Sequence, residues 1–276
     1  MTINNNPLRQ YFRRPAVHLR LPSKGKYYAD HVIDMPPTGE LPVYPMTAID
    51  EITAKTPDAL FNGSAIPELI KSCIPDIKDP WSINNVDLDA VLISIKAATG
   101  SGEMDLDTIC PACEEESKYG LNLVGMLTQL KDGDYDAEFI INDLGIKFRP
   151  VTYKEMNSAS INQFEIQKVF NSIEQLTDER EKSEKIKSSI MMITELTMQL
   201  LANAIEYIST PAARVEETEY ILDFLKNCDK ESYNKIKDYH AKLKEDTTIK
   251  PLQLTCTSCS HKYEQPFTLN TADFFD

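Results

Sequence analysis

The 276-residue sequence has no apolar run approaching the roughly eighteen residues of a membrane span, which excludes a transmembrane helix. Its opening, MTINNNPLRQYF, lacks the apolar segment of a secretory signal, so a reducing cytoplasm is the expected setting. Disulfides are disfavoured there, and the six cysteines are expected as metal ligands or core residues. Cations are scarce: 29 Lys and Arg stand against 43 Asp and Glu, for a net charge of −14. That balance speaks against phosphate-backbone binding as the main role. The four histidines (His18, His31, His240, His261) show no ligand spacing. Phosphate-loop, dinucleotide, zincin and nucleophile-elbow motifs are missing, and no carboxylate pair stands out from a solvated surface. No enzymatic activity and no small-molecule substrate are therefore expected.

The charge that is present is unevenly placed. Residues 1–28 hold Arg9, Arg13, Arg14, Arg20, Lys24 and Lys26 with no acid, which leaves −20 on the rest of the chain. Seven prolines between 7 and 45 forbid a long helix in that region. Two short alternating stretches, Ala16–Leu21 and Gly39–Tyr44, are expected as strands. We read 1–45 as an extended basic arm on an acidic body. Its Arg13, Arg14, Leu19, Leu21, Tyr27 and Tyr28 are the candidate partner-binding residues, ordering on an acidic or apolar groove. Packing of the arm onto its own body would satisfy the same charges.

From 46 to 103 the pattern is helical. Thr47 with Asp50 resembles a capping box, Thr56-Pro57 a cap followed by proline at the first helical position, and Gly63 a stop. Ser64 is expected to cap a helix with Ile66, Leu69, Ile70 and Cys73 on one face, and Asp87 to cap the next. Residues 104–153 read as strands, with a hairpin turn at Asp143-Leu144-Gly145. The stretch 154–245 has no glycine and a single proline, Pro211, and reads as helical, including a stripe running from Ile186 to Ile208. Met191, Met192 and Met198 in that stripe are expected as packing, and Cys73 and Cys228 as core. Extended structure returns from 246, ending in the aromatic tail Asp273–Asp276.

Cys110-Pro-Ala-Cys113 and Cys256-Thr-Ser-Cys259 carry the clearest chemistry. Each C-x-x-C turn places two thiolates on one side of a tight knuckle, and two knuckles complete the tetrahedron of structural Zn²⁺. Each is followed by a short polar turn, an aromatic (Tyr119, Tyr263) and a strand, the layout of a zinc ribbon's halves. Between Cys113 and Cys256 lie 142 residues, far beyond a compact ribbon, so the ribbon is expected to be split by an insertion. Redox chemistry or two independent cysteine pairs are the alternatives, and His261 could replace one ligand. Four thiolates leave no open position, so the site is expected to be structural. The expected architecture is α+β: arm 1–45, helical segment 46–103, a split zinc-ribbon-like β module of 104–153 plus 246–276, and helical insertion 154–245.

The order of features resembles a known family. Arg13-Arg14-Pro15, Leu21–Tyr28, Pro45–Glu51, Pro57–Gly63, Ala90–Gly100 and the first knuckle follow one another as in baseplate hub subunits and hub assembly proteins of T-even-like contractile-tailed bacteriophages. The resemblance covers about residues 9–124 and 252–269, and only Cys110 and Cys113 map onto that family's knuckle. It implies a non-enzymatic part in building the hub, with other hub or tail proteins as partners. Host cytoplasm during assembly and the virion tail baseplate are the implied locations. A zinc-ribbon nucleic-acid-binding or transcription-related phage protein is the competing reading.

Overall fold

The computed structural model describes residues 6–174 and 178–267, leaving the aromatic tail outside the described residues. In chain order the elements are β1 (Val17–Leu19), β2 (Leu41–Val43), α1 (Ala48–Ala54), α2 (Pro57–Asn62), α3 (Ala65–Cys73) and α4 (Asn85–Thr99). They continue with β3 (Glu103–Ile109), β4 (Glu116–Asn122), α5 (Leu123–Leu127), β5 (Glu138–Ile141) and β6 (Leu144–Phe148). Then come α6 (Tyr153–Glu174), α7 (Glu179–Ala204), β7 (Ile205–Ser209) and β8 (Arg214–Val215). The chain closes with α8 (Thr218–Asn227), α9 (Lys230–Thr247), β9 (Leu252–Thr255) and β10 (Lys262–Gln265). The architecture is α+β with small antiparallel sheets, divided into two compact units. One unit comprises 1–80, 87–130 and 249–276; the other comprises 81–86 and 131–248.

In the first unit several local signals act as their chemistry requires, whereas Ser64 and Thr56 precede their helices without a side-chain capping hydrogen bond. Thr47 and Asp50 form a reciprocal capping box at α1, and Thr56-Pro57 opens α2. Gly63 ends α2 at φ 77°, a conformation that costs glycine nothing. The apolar face of α3 is buried, Cys73 included, and burial pushes that thiol up to about 12. β1 and β2 pair antiparallel, Val17 opposite Val43 and Leu19 opposite Leu41. Ile93 and Ala97 of α4 meet Leu121, Leu123, Met126 and Phe267 in a core that joins the central and C-terminal segments.

Asp87 does something other than cap. The helix begins two residues earlier, where the Asn84 side chain accepts the Val86 N–H at 3.1 Å. Asp87 is instead fully buried, and its carboxylate accepts from the Ser23 N–H (2.9 Å), the Ser23 hydroxyl and the Tyr28 hydroxyl (2.7 Å). A signal that reads as a local cap thus serves a contact some sixty residues away.

The second unit is built on a four-stranded antiparallel sheet ordered β5-β6-β7-β8. The hairpin turn is Asn142-Asp143, one step earlier than expected: Ile141 pairs with Leu144, and Asn142 takes φ 52°. Strands 138–148 pair with 205–215 here, so they belong to this sheet and not to the cysteine hairpins. The apolar stripe expected to stay helical to Ile208 leaves the helix at Ala204. From there Ile205 and Ile208 turn inward as a strand against β6. A spacing of three fits a helix and would put Ile205 and Ile208 on opposite faces of a regular strand; the register shift opposite Lys147 and Phe148 turns both inward, and pairing with β6 decides the outcome. Asp229 caps α9 by accepting the Ser232 N–H, so the helical run after Pro211 becomes two helices, with Cys228 half-buried between them. Tyr239 stacks on Phe139 at 4.5 Å and His240 on Phe148 at 5.5 Å, fixing α9 to the sheet. Met191 and Met192 are 64 % and 56 % exposed, against the expectation of packing.

Candidate metal centre

The four knuckle cysteines come together in the first unit. Their sulfurs all lie within 4.8 Å of one another, with Cys110 to Cys259 at 3.8 Å and Cys113 to Cys256 at 3.7 Å. A tetrahedral ion with metal–sulfur bonds of about 2.3 Å requires sulfur–sulfur edges of about 3.8 Å. The donor set therefore fits one tetrahedral metal ion. All six cysteines are free thiols.

The two knuckles are near copies of one another. In the first, the Cys110 N–H donates to the Glu115 carbonyl (3.0 Å) and the Glu114 N–H to the Cys110 carbonyl (2.9 Å). In the second, the Cys256 N–H donates to the His261 carbonyl (2.9 Å) and the Ser260 N–H to the Cys256 carbonyl (3.0 Å). Glu114 and Ser260 both sit in the left-handed region, at φ 57° and 58°. Cys110 and Cys256 are buried, while Cys113 and Cys259 face solvent.

Each hairpin also braces the other. The Tyr119 hydroxyl donates to the Thr255 carbonyl at 2.9 Å, and the Tyr263 hydroxyl lies 2.6 Å from the Thr108 hydroxyl. Cys110, Leu254, Cys256 and Tyr263 form a small core beneath the sulfurs. The aromatic that follows each knuckle thus spans to the strand leading into the other. The β3–β4 and β9–β10 hairpins together form a ribbon-like module assembled from distant parts of the chain.

The Cys256 sulfur faces the N–H groups of Cys259 and Ser258, which hold its thiol down to about 7. At Cys113 the Glu115 N–H acts in the same sense. Sharing protons with Cys259, Cys110 and Cys256 outweighs it and pushes that thiol up to about 12. Metal uptake at such a set must release protons, so affinity falls as pH drops. His261 is not in the ligand cluster: its carbonyl serves the knuckle, and its ring lies parallel to Tyr263 at 6.4 Å.

Glu114 and Ser260 invite a direct measurement. Left-handed backbone costs a residue with a side chain roughly 1–2 kcal/mol, part of which glycine gives back as unfolded-state entropy. Both side chains are exposed, so little packing is lost. Ser260→Gly is expected to raise stability by about 0.5–1 kcal/mol, read as a higher midpoint of thermal unfolding. A lower midpoint would contradict the strain argument.

The arm residues have internal roles as well. Arg13 donates to the Pro45 carbonyl (2.6 Å), the Asp50 carboxylate (3.1 Å), and the Ser72 carbonyl and hydroxyl (2.9 and 2.8 Å). Burial alone would raise the Asp50 carboxyl. The Thr47 N–H, the Ser72 and Thr47 hydroxyls and the Arg13 guanidinium hold it below its usual value. Leu19 and Leu21 are buried, Tyr28 binds Asp87, and Tyr27 is half-buried. Arg14 stays exposed, with a long 3.4 Å hydrogen bond to the Gln10 carbonyl among the described residues. The residues at the surface are instead Leu8, Tyr11 and Phe12, which sequence reasoning passed over. Their signal was the aromatic pair next to Arg13-Arg14.

Fold and site define an α+β protein in which distant hairpins meet at a four-cysteine centre able to hold a metal ion. A comparison with family models matches residues 19–276 to the T4 bacteriophage base plate protein family. The chain belongs to that family, and its expected partners are other baseplate or tail proteins. No match is found among curated proteins or among solved structures. No helix among the described residues is long and apolar enough to cross a membrane.

Proposed function

We propose that the protein is a non-enzymatic structural or assembly subunit of the baseplate hub, acting through protein–protein contacts. The family match over 19–276 carries the baseplate part of this reading. The hub assignment rests on the motif series from Arg13-Arg14-Pro15 to the first knuckle. The metal is proposed to be Zn²⁺, held by Cys110, Cys113, Cys256 and Cys259, because a closed four-thiolate tetrahedron suits it. Bound there, zinc supplies a fixed cross-link and no reactive position. The arm is proposed to carry the partner contacts from its outward side, with Arg13, Leu19, Leu21 and Tyr28 holding it in place.

The outer face of β3 carries Glu103, Asp105 and Asp107, all exposed, which gives a phosphate backbone nothing to bind and weighs against the nucleic-acid reading. Infection with phage lacking this gene is expected to halt tail assembly at or before baseplate completion, with purified protein restoring tails in extract. Normal numbers of complete tails without the gene would refute the proposal.

A further inference from the structure

We propose that the protein associates head to tail with itself: the arm's cationic–aromatic turn in one copy docks on the acidic outer face of the β3–β4 hairpin in the next. This goes beyond the baseplate reading and does not depend on it.

The donor surface is the turn Pro7–Tyr11 with Phe12. Leu8, Tyr11 and Phe12 are 61 %, 77 % and 57 % exposed, flanked by the exposed cations Arg9 and Arg14. Aromatic and arginine side chains dominate binding energy at interfaces, and a soluble chain seldom leaves so many together in water. The turn is also preformed. The Asn6 side chain accepts the Leu8 N–H at 2.9 Å at one end, and the hydrogen bonds of Arg13 to Pro45, Asp50 and Ser72 anchor the other. A preordered segment loses less entropy on docking.

The receptor surface lies on the same unit. Along β3 the residues alternate, so Glu103, Asp105, Asp107 and Ile109 share the outer face, opposite Asn122, Gly120, Lys118 and Glu116. Lys118 pairs with Asp107 at 3.3 Å, and among the described residues Glu103, Asp105 and Glu116 form no ion pair. Ile109 is 61 % exposed in their midst. A shallow groove of about 750 Å³ runs here between Asp107, Ile109, Glu116, Lys118 and Gln265. The face thus offers carboxylates, an apolar floor and a concavity, the counterparts of arginines, aromatics and a convex turn.

The two surfaces are complementary in sign, both are exposed, and Arg13 ties the arm to α1 and α3. Among the described residues, each copy therefore carries one arm and one receptor that its own chain leaves uncovered. Complementary surfaces at different places on one molecule produce head-to-tail association. A second copy is favoured over an unrelated partner because the receptor is already present on every copy.

The test uses the full chain. Sedimentation velocity and light scattering of wild type are expected to show concentration-dependent association with a dissociation constant on the order of 10 µM, typical of a small contact. Raising salt from about 50 to about 500 mM should weaken it roughly tenfold or more. Arg9→Glu with Arg14→Glu, and separately Asp105→Lys with Glu116→Lys, should each leave a folded monomer. Mixing these two variants should restore association, alternating between the two variants, because the native arm of one fits the native receptor of the other and the reversed arm fits the reversed receptor. A chain with all four reversals should associate again. A wild type that stays monomeric, variants that associate like wild type, or a mixture that stays monomeric would each overturn the inference. Association surviving all single-surface reversals would place the contact elsewhere, for instance on the exposed Ile190–Ile193 segment of α7, and would equally overturn it. None of these failures touches the baseplate reading, which the infection experiment decides.

Discussion

Chelating the proposed zinc, or replacing Cys110 and Cys256 together by serine, is expected to open the ribbon and destabilise the first unit by about 5 kcal/mol. The figure follows from the loop that the centre closes. Linking segments some 140 residues apart removes about 5 kcal/mol of unfolded-state entropy, on the scale established for covalent cross-links. Cys110 and Cys256 are the two buried cysteines of the cluster, and they also sit in the small core with Leu254 and Tyr263. Their loss therefore removes the ion and loosens the packing beneath it. Metal analysis should give about one zinc per chain for wild type and none for the double variant. His261→Ala should keep its zinc, since only the backbone of that residue serves the knuckle. Thermal unfolding should show an earlier transition after chelation that returns on adding zinc. An unchanged transition in metal-free protein would remove the structural role proposed for the centre.

The second large effect is expected at Asp87. Asp87→Ala leaves the Ser23 N–H, the Ser23 hydroxyl and the Tyr28 hydroxyl without their acceptor inside the protein. Hydrogen bonds to a charged group are worth about 1.5–3 kcal/mol each, and the desolvation of a buried carboxylate offsets part of that sum. A net loss of about 3 kcal/mol is expected, against about 1–2 for Tyr28→Phe alone. The damage should be local to the arm. Lys24 and Lys26 are exposed beside Ser23, so limited trypsin digestion should cut there much faster in Asp87→Ala than in wild type. The double variant Asp87→Ala with Tyr28→Phe should lose less than the sum of the two, because they share one bond. Equal cleavage rates in both proteins would show that Asp87 does not hold the arm.

Much of the candidate site was legible because the chemistry is local. A C-x-x-C knuckle needs only its own turn, and the aromatic after each knuckle stood at a readable distance in the sequence. The capping box of Thr47 and Asp50 was legible for the same reason: donors and acceptors three residues apart decide it. The exchange between the hairpins was not, since Tyr119 to Thr255 and Tyr263 to Thr108 join residues more than a hundred positions apart. Leu8, Tyr11 and Phe12 were passed over because exposure is a property of what fails to cover a residue, and composition does not record it.

The sequence by itself determined the α+β character, the hairpins around the cysteines, the pairing of the four thiols into two knuckles suited to a metal ion and the basic character of the arm. These follow from residue type, short spacing and charge. Tertiary structure alone decided that Ile205 and Ile208 leave the helix for a strand, that strands 138–148 serve that same sheet, and that Asp87 holds Ser23 and Tyr28. It also decided that Arg13, Leu19 and Leu21 turn inward while Leu8, Tyr11 and Phe12 face water. The physical reason is common to all of them. An alternating apolar stretch, a buried carboxylate and a basic arm each have several satisfactory partners, and only the packed chain selects among them.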